Sequence, residues 1–289
     1  MSSRQVQQIV TAHRQLEGAG FEVRRPLPSM GGVDTDPFLL LDEMGPVDYG
    51  PGEATGAPDH PHRGFETVSY LLQGRWVHED SMGHSGFLGP GDVQWMTAGS
   101  GVVHSEMPAE DLRREGGRFH GFQIWVNLPA RDKMMAPRYQ EIPREQIPTA
   151  NSEDGLARVQ VIAGEALGVQ AVIETRTPVV LQHWLLKPGA QIEQPVAPDH
   201  RAYLYVFSGA LAVGPEGVEV RDGQMAVMGS GEGILLSTRG SGPSEALLLA
   251  GVPLGEPVAR YGPFVMNTEE EIRQAMWDYQ TGQMGRIQR

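Results

Sequence analysis

Apolar residues seldom recur at a helical interval along this chain. They fall in short runs or alternate with polar neighbours, and Gly or Pro closes nearly every run. This pattern predicts strands rather than helices. The clearest are residues 66–72, 75–79, 92–96, 119–126, 179–186, 203–207, 224–227 and 245–249. Their short, regular spacing is that of β-sandwiches and barrels. One segment departs from it. In Asn267 to Trp277, Thr268 and Glu271 have capping-box spacing and acidic residues fill the first turn. Ile272, Ala275, Met276 and Tyr279 then share one face, which predicts a short C-terminal helix. A second, shorter helix is expected around Ala109 to Arg114.

Composition strengthens the all-β reading. The chain has 289 residues, of which 37 are Gly and 22 Pro, well above average usage of about 12%. At roughly 150 residues per domain, the length accommodates two domains. An internal repeat says what they are. Residues 91–106 align without a gap on residues 223–238, at a constant offset of 132, with glycines coinciding at 91/223, 99/231 and 101/233. Two copies of one β-domain are therefore expected, 1–135 and 136–289, divided in the Pro-punctuated stretch between Pro129 and Asn151. The mismatches carry information: His104 aligns with Leu236 and Glu106 with Thr238. The polar residues of the first copy are thus not demanded by the fold.

There is no cysteine, which excludes disulfides, iron–sulfur clusters, Cys-ligated zinc and Cys nucleophiles. A net charge of −13 speaks against direct nucleic-acid binding. The polar N-terminus lacks a signal-peptide core and no apolar run approaches the ~20 residues of a membrane span, so a cytoplasmic location off the membrane is expected. The nine histidines become the main question. His60-Pro61-His62 and His104-Ser105-Glu106 both have i, i+2 spacing, which on extended backbone turns each pair to one side. If the two segments are neighbours, three imidazoles and one carboxylate converge. Such a set suits a single divalent first-row ion, whether Fe, Mn, Co, Ni, Cu or Zn. Two coordination positions would then remain for substrate and dioxygen or water. His84, in the turn Gly83-His84-Ser85-Gly86, is either a residue that orients a ligand or a turn histidine bonded to backbone. His78 and His120 read as wall or surface residues, His183 and His200 lack partners at metal spacing, and His13 reads as exposed. Trp95, Met96, Phe122, Trp125 and Phe65 read as core, with one or two at a pocket mouth.

Three stretches closely resemble the pirin family of cupins: Asp59-His60-Pro61-His62-Arg63-Gly64-Phe65-Glu66-Thr67-Val68, Gly91 to Gly99, and His104-Ser105-Glu106-Met107-Pro108. The likeness continues in Val161-Ile162-Ala163-Gly164 and in Gly262 to Thr268, so it spans nearly the whole chain. It implies an all-β bicupin: two antiparallel, jelly-roll-like β-barrel domains face to face, with the short C-terminal helix. It also implies one iron site, as Fe(II), in the N-terminal domain alone, held by the residues matching His60, His62, His104 and Glu106. Some members have quercetin 2,3-dioxygenase activity, which opens a flavonol ring with O2 and releases carbon monoxide. In that case a flavonol-like aromatic compound and O2 are the partners, and Glu106 is the catalytic base. Others resemble regulators that bind a transcription factor or a metabolic enzyme, and a metal-dependent isomerase or hydrolase on the same frame stays open. The general cupin pattern places a metal-binding Glu shortly after His-x-His. Here Glu66 follows His62, but seven residues, not six, separate it from Gly74, so Glu106 is expected to supply the carboxylate and Glu66 a local hydrogen bond.

Overall fold

The computed structural model describes residues 2–28 and 32–289. Its backbone forms two compact units, each assembled from three segments. The first, which carries the paired histidines, comprises Arg14–Arg25, Phe38–Arg144 and Leu254–Arg289; the second comprises Met1–His13, Pro26–Pro37 and Glu145–Pro253. The division therefore falls at 144/145 rather than 135/136, and each unit takes in a segment from the other end of the chain.

All eight predicted strands are present, as Phe65–Gln73, Trp76–Asp80, Val93–Thr97, Gly117–Asn127, Val179–Leu186, Arg201–Ser208, Gln224–Met228 and Ser244–Gly251. Each unit is a cupin jelly roll of two antiparallel sheets, one of seven strands and one of four, rather than a single closed barrel. The strand orders of the two units correspond position by position. Val93–Thr97 occupies the place of Gln224–Met228, and Val102–Pro108 that of Gly233–Thr238, as the repeat requires. The edge strand next to Val93–Thr97 is Arg138–Ile142, from later in the same half, whereas the edge beside Gln224–Met228 is filled by Val6–Thr11 from the start of the chain. The N-terminal segment thus completes the second unit by covering an edge that would otherwise expose unpaired backbone groups.

The predicted helix forms as Glu269–Gln280, with both hydrogen bonds of the Thr268/Glu271 capping box in place. Ile272 and Ala275 are buried, but Tyr279 of the expected apolar face is 39% exposed. Asp278 is buried instead, because its carboxylate accepts from Arg63 Nη1 at 2.8 Å. Arg63 also donates from Nε to the Ser100 carbonyl at 2.6 Å, so one buried side chain ties the helix to the segment that follows His62. The next residue, Gly64, has φ +90°, and a Cβ there would lie 2.0 Å from the Val265 carbonyl oxygen, so only glycine fits. Among the described residues no helix is long and apolar enough to cross a membrane.

Removing one partner of a buried ion pair strands the other without compensation. Asp278→Ala is accordingly expected to destabilise the first unit by about 3 kcal/mol. Urea unfolding followed by tryptophan fluorescence would measure this, and a loss within 0.5 kcal/mol, roughly that of a surface substitution, would contradict it.

Candidate metal centre

The four-stranded sheet of the first unit runs in the order Ala57–His62, Val102–Pro108, Trp76–Asp80, Ser85–Leu88. Its register sets His104 opposite His60 on one side and opposite Asp80 on the other, and Glu106 opposite His78. Three adjacent strands therefore each present an i, i+2 polar pair to one face: His60 and His62, His104 and Glu106, His78 and Asp80. An irregularity between His104 and Glu106 gives the Ala57–His62 strand one extra residue, so that Glu106 pairs with Ala57. Pro58 lies in that bulge, where its missing N–H costs no ladder hydrogen bond.

The nitrogens of His60, His62 and His104 converge within 4.8 Å of one another. His60 Nε2 and His62 Nε2 are 3.1 Å apart, and the three ring centroids lie 4.3–4.8 Å from each other. His60 Nδ1 donates to the Pro58 carbonyl at 2.7 Å, which leaves the Nε2 lone pair toward the cluster. Burial holds all three imidazoles below their usual pKa, His62 and His104 well below it, and neighbouring imidazoles add to the effect in those two. They are consequently neutral, the state that ligates metal. His104 Nε2 is fully buried and has no hydrogen-bond partner among the described residues. Glu106 stands just outside the close triad. Its Oε1 accepts from Ser69 Oγ at 2.7 Å, and burial pushes its carboxyl up to about 7. Three lone pairs aimed at one point, an orphaned buried nitrogen and a desolvated carboxylate fit a divalent cation, which would satisfy all of them.

The sequence reading missed the third pair. His78 is 1% exposed, and its Nδ1 lies 3.4 Å from His104 Nδ1. It therefore occupies the orienting place that His84 was considered for. His84 is turned out to solvent and bonds Asp80 at 3.1 Å. His78-Glu79-Asp80 repeats the i, i+2 spacing of the other two pairs, and that signal was available. Glu66, as expected, takes a local hydrogen bond, from Thr97 Oγ1 at 2.6 Å. His120 bonds Glu43, His183 bonds Glu245 and His200 bonds Asp199, all away from the triad. His13 is half-buried rather than exposed. On the opposite face of the sheet the alternate residues Asp59, Glu79 and Ser105 lie within 2.7–3.4 Å of the Arg289 guanidinium, which clasps these three strands from behind.

Two predictions follow from this packing. Orienting neighbours of metal-bound imidazoles are typically worth ten- to a hundredfold in affinity, so His78→Phe should weaken metal binding by at least about tenfold. Competition against a chromophoric chelator would show it, and an unchanged affinity would remove His78 from the site. The fully buried Asp80 carboxylate accepts from the Met82 and His84 amides. Burial alone would raise its pKa, but these bonds, with the Tyr139 hydroxyl and the His84 ring, hold it below the usual range. A depressed carboxyl contributes stability above its unfolded pKa and loses it as pH falls through the folded one. Asp80→Asn should therefore cost about 2 kcal/mol near neutrality, and the deficit should shrink once the pH drops below the ordinary carboxylate range. A deficit constant down to low pH in denaturant titrations would refute this.

The triad opens onto a cavity of about 540 Å³ lined by Phe21, Leu40, Met44, Trp76, Trp125 and Gln123, among others, together with His60, His62 and Glu106. Trp125, one of the aromatic residues read as core, stands in its wall. Its ring lies 5.2 Å from His62 and 4.4 Å from Phe65, centroid to centroid. Trp95, Met96, Phe65 and Phe122 are buried core.

The corresponding face of the second unit has no such chemistry. Its register equivalents of His60, His62, His104 and Glu106 are Ile192, Gln194, Leu236 and Thr238, and those of His78 and Asp80 are Leu211 and Val213. Ile192, Leu211, Val213 and Leu236 pack into that unit's hydrophobic core.

Comparison with known proteins matches this division. The family model Pirin covers residues 20–126, and that of the Pirin C-terminal cupin domain covers residues 181–285. The chain is 44% identical to Pirin of Homo sapiens, over 98% of this chain and 95% of that protein. It is 45% identical to a pirin-like protein of Solanum lycopersicum, over 96% and 91% of the two chains. The crystal structure of a quercetin 2,3-dioxygenase from Acinetobacter baumannii superposes with a TM-score of 0.92 at 35% identity, covering 99% of this chain and all of that one. A bicupin whose first unit holds the convergent histidines, and whose two halves match the two pirin family models, belongs to the pirin family.

Proposed function

We propose that this protein is a dioxygenase acting on flavonol-like aromatic compounds, with Fe(II) held by His60, His62, His104 and Glu106. The observation that carries the reading is the opening of the His60, His62 and His104 triad onto an aromatic-walled cavity large enough for a three-ring substrate. The similarity to a quercetin 2,3-dioxygenase over the full chain supports the same chemistry. When bound, the metal supplies a Lewis acid that favours the deprotonated flavonol hydroxyl and couples the electron-rich ring to O2.

The chain's own residues do the rest. Trp125, backed by the buried Phe65, gives the substrate a flat apolar wall next to His62 and displaces water from its ring system. Glu106 takes the proton of the flavonol 3-hydroxyl, since its buried carboxylate has a hydrogen-bond donor in Ser69 but no basic side chain in a salt bridge with it among the described residues. Ser69, itself 2.9 Å from Gln123 Oε1, fixes the direction from which Glu106 approaches. The reaction consumes one O2, cleaves the central ring and expels one carbon as carbon monoxide.

Glu106→Gln keeps the size and the Ser69 contact but removes the base. Turnover should fall by at least about 10²-fold, the usual scale of a lost general base, while part of the metal remains bound. Elemental analysis of the variant, with anaerobic loading of flavonol followed by O2 and a carbon monoxide assay, tests this. Wild-type turnover in the variant, or no carbon monoxide from fully metal-loaded wild type, would overturn the proposal.

A further inference from the structure

The metal end of the cavity is accounted for above, but its rim is not. Four carboxylates line the cavity, and each has a partner: Glu17 and Asp42 are ion-paired to Arg25, Asp59 to Arg289, and Glu106 is bonded to Ser69. Of the two guanidinium groups in the lining, Arg25 is 13% exposed and occupied by its two acids. Arg260 differs. Its Cζ lies 4.9 Å from the Trp125 ring centroid, and its Nη1 donates to the Leu39 carbonyl at 3.2 Å. Among the described residues no carboxylate forms a salt bridge with it. Asp42 and Glu17 act on it only through space, against burial and the like charge of Arg25, so its remaining N–H donors are open to a ligand.

Trp125 gives the cavity a ruler. Its ring centroid lies 5.2 Å from that of His62 and 4.9 Å from Arg260 Cζ, so the imidazole and the guanidinium are at most about 10 Å apart. A two- or three-ring aromatic molecule lying along the indole is long enough to reach from one to the other. We infer that Arg260 is the specificity-determining residue of this cavity, receiving an acidic oxygen, phenolate or carboxylate, at the end of a planar aromatic substrate remote from the hydroxyl held at the histidine triad. The inference rests on the aromatic-substrate reading of the same cavity. A planar guanidinium suits it because it can bond an anionic oxygen in its own plane while keeping its face on the indole.

Equilibrium binding to metal-loaded protein under anaerobic conditions, read by quenching of tryptophan fluorescence and by calorimetry, tests it without reliance on turnover. The probes are 3-hydroxyflavone and the same compound bearing a 4′-carboxylate. The wild type should prefer the acid by about tenfold, and the preference should diminish with salt. Arg260→Gln should abolish it by weakening the acid about tenfold more than the parent, and Arg260→Lys should restore part of it. In turnover, the same variant should raise KM for the acid while leaving its kcat within about twofold, the sign of lost uniform binding. Equal losses for both probes, or a preference that survives in Arg260→Gln, would overturn the inference and leave the aromatic-substrate reading standing. Absence of binding of either probe to the wild type would overturn both. An Arg260-dependent preference without carbon monoxide release would support the inference and refute only the dioxygenase chemistry.

Discussion

The pairing of Val102–Pro108 with its two neighbouring strands is the constraint on which the site depends. Antiparallel register sets His104 beside His60, and a shift of one residue would turn every second side chain to the wrong face. The bulge at Pro58 and the Arg289 clasp both act on this pairing, one within the sheet and one from its outer face. The same pleat that sends His60, His104 and Glu106 inward sends Asp59, Ser105 and Glu79 outward, so ligand convergence and the clasp are two results of one alternation.

The two units show what this arrangement costs. A common strand order is filled in the second unit by Ile192, Leu211, Val213 and Leu236, which bury apolar surface and need no partners. The first unit places imidazoles and carboxylates at the same points, where desolvation penalises charge and leaves lone pairs unsatisfied. Burial keeps the histidines neutral and thereby ready to bind metal. The second copy offsets none of this and supplies the plain version of the frame. The contrast separates residues the fold requires from residues the chemistry requires, without reference to any other protein.

The cavity adds a second polarity. Its inner end is a cluster of neutral nitrogen ligands and a buried carboxyl, its wall is apolar and aromatic, and its rim carries charge arranged around Arg25 and Arg260. Trp125 contacts both His62 and Arg260, so a single rigid side chain links the histidine cluster to the charged rim.

Much of this was legible in one dimension, because strand alternation and helix capping are local. The i, i+2 pairs His60/His62 and His104/Glu106, the Thr268–Glu271 cap, the eight strands and the 132-residue repeat are all short-range patterns, and the repeat extends through the register to Ile192 and Gln194. The sequence also showed that the second copy lacks the candidate ligands, since Leu236 and Thr238 stand where the first copy has His104 and Glu106. Tertiary structure decided what depends on chain crossing. It set the edge role of Val6–Thr11 in the second unit, the pairing of Asp278 with Arg63 and the closure of Arg289 over Asp59, contacts between residues more than two hundred positions apart. It also decided between His84 and His78, because which histidine faces His104 follows from the register of Trp76–Asp80 against Val102–Pro108. A spacing shows which side chains share a face; only the packed sheet shows which faces meet.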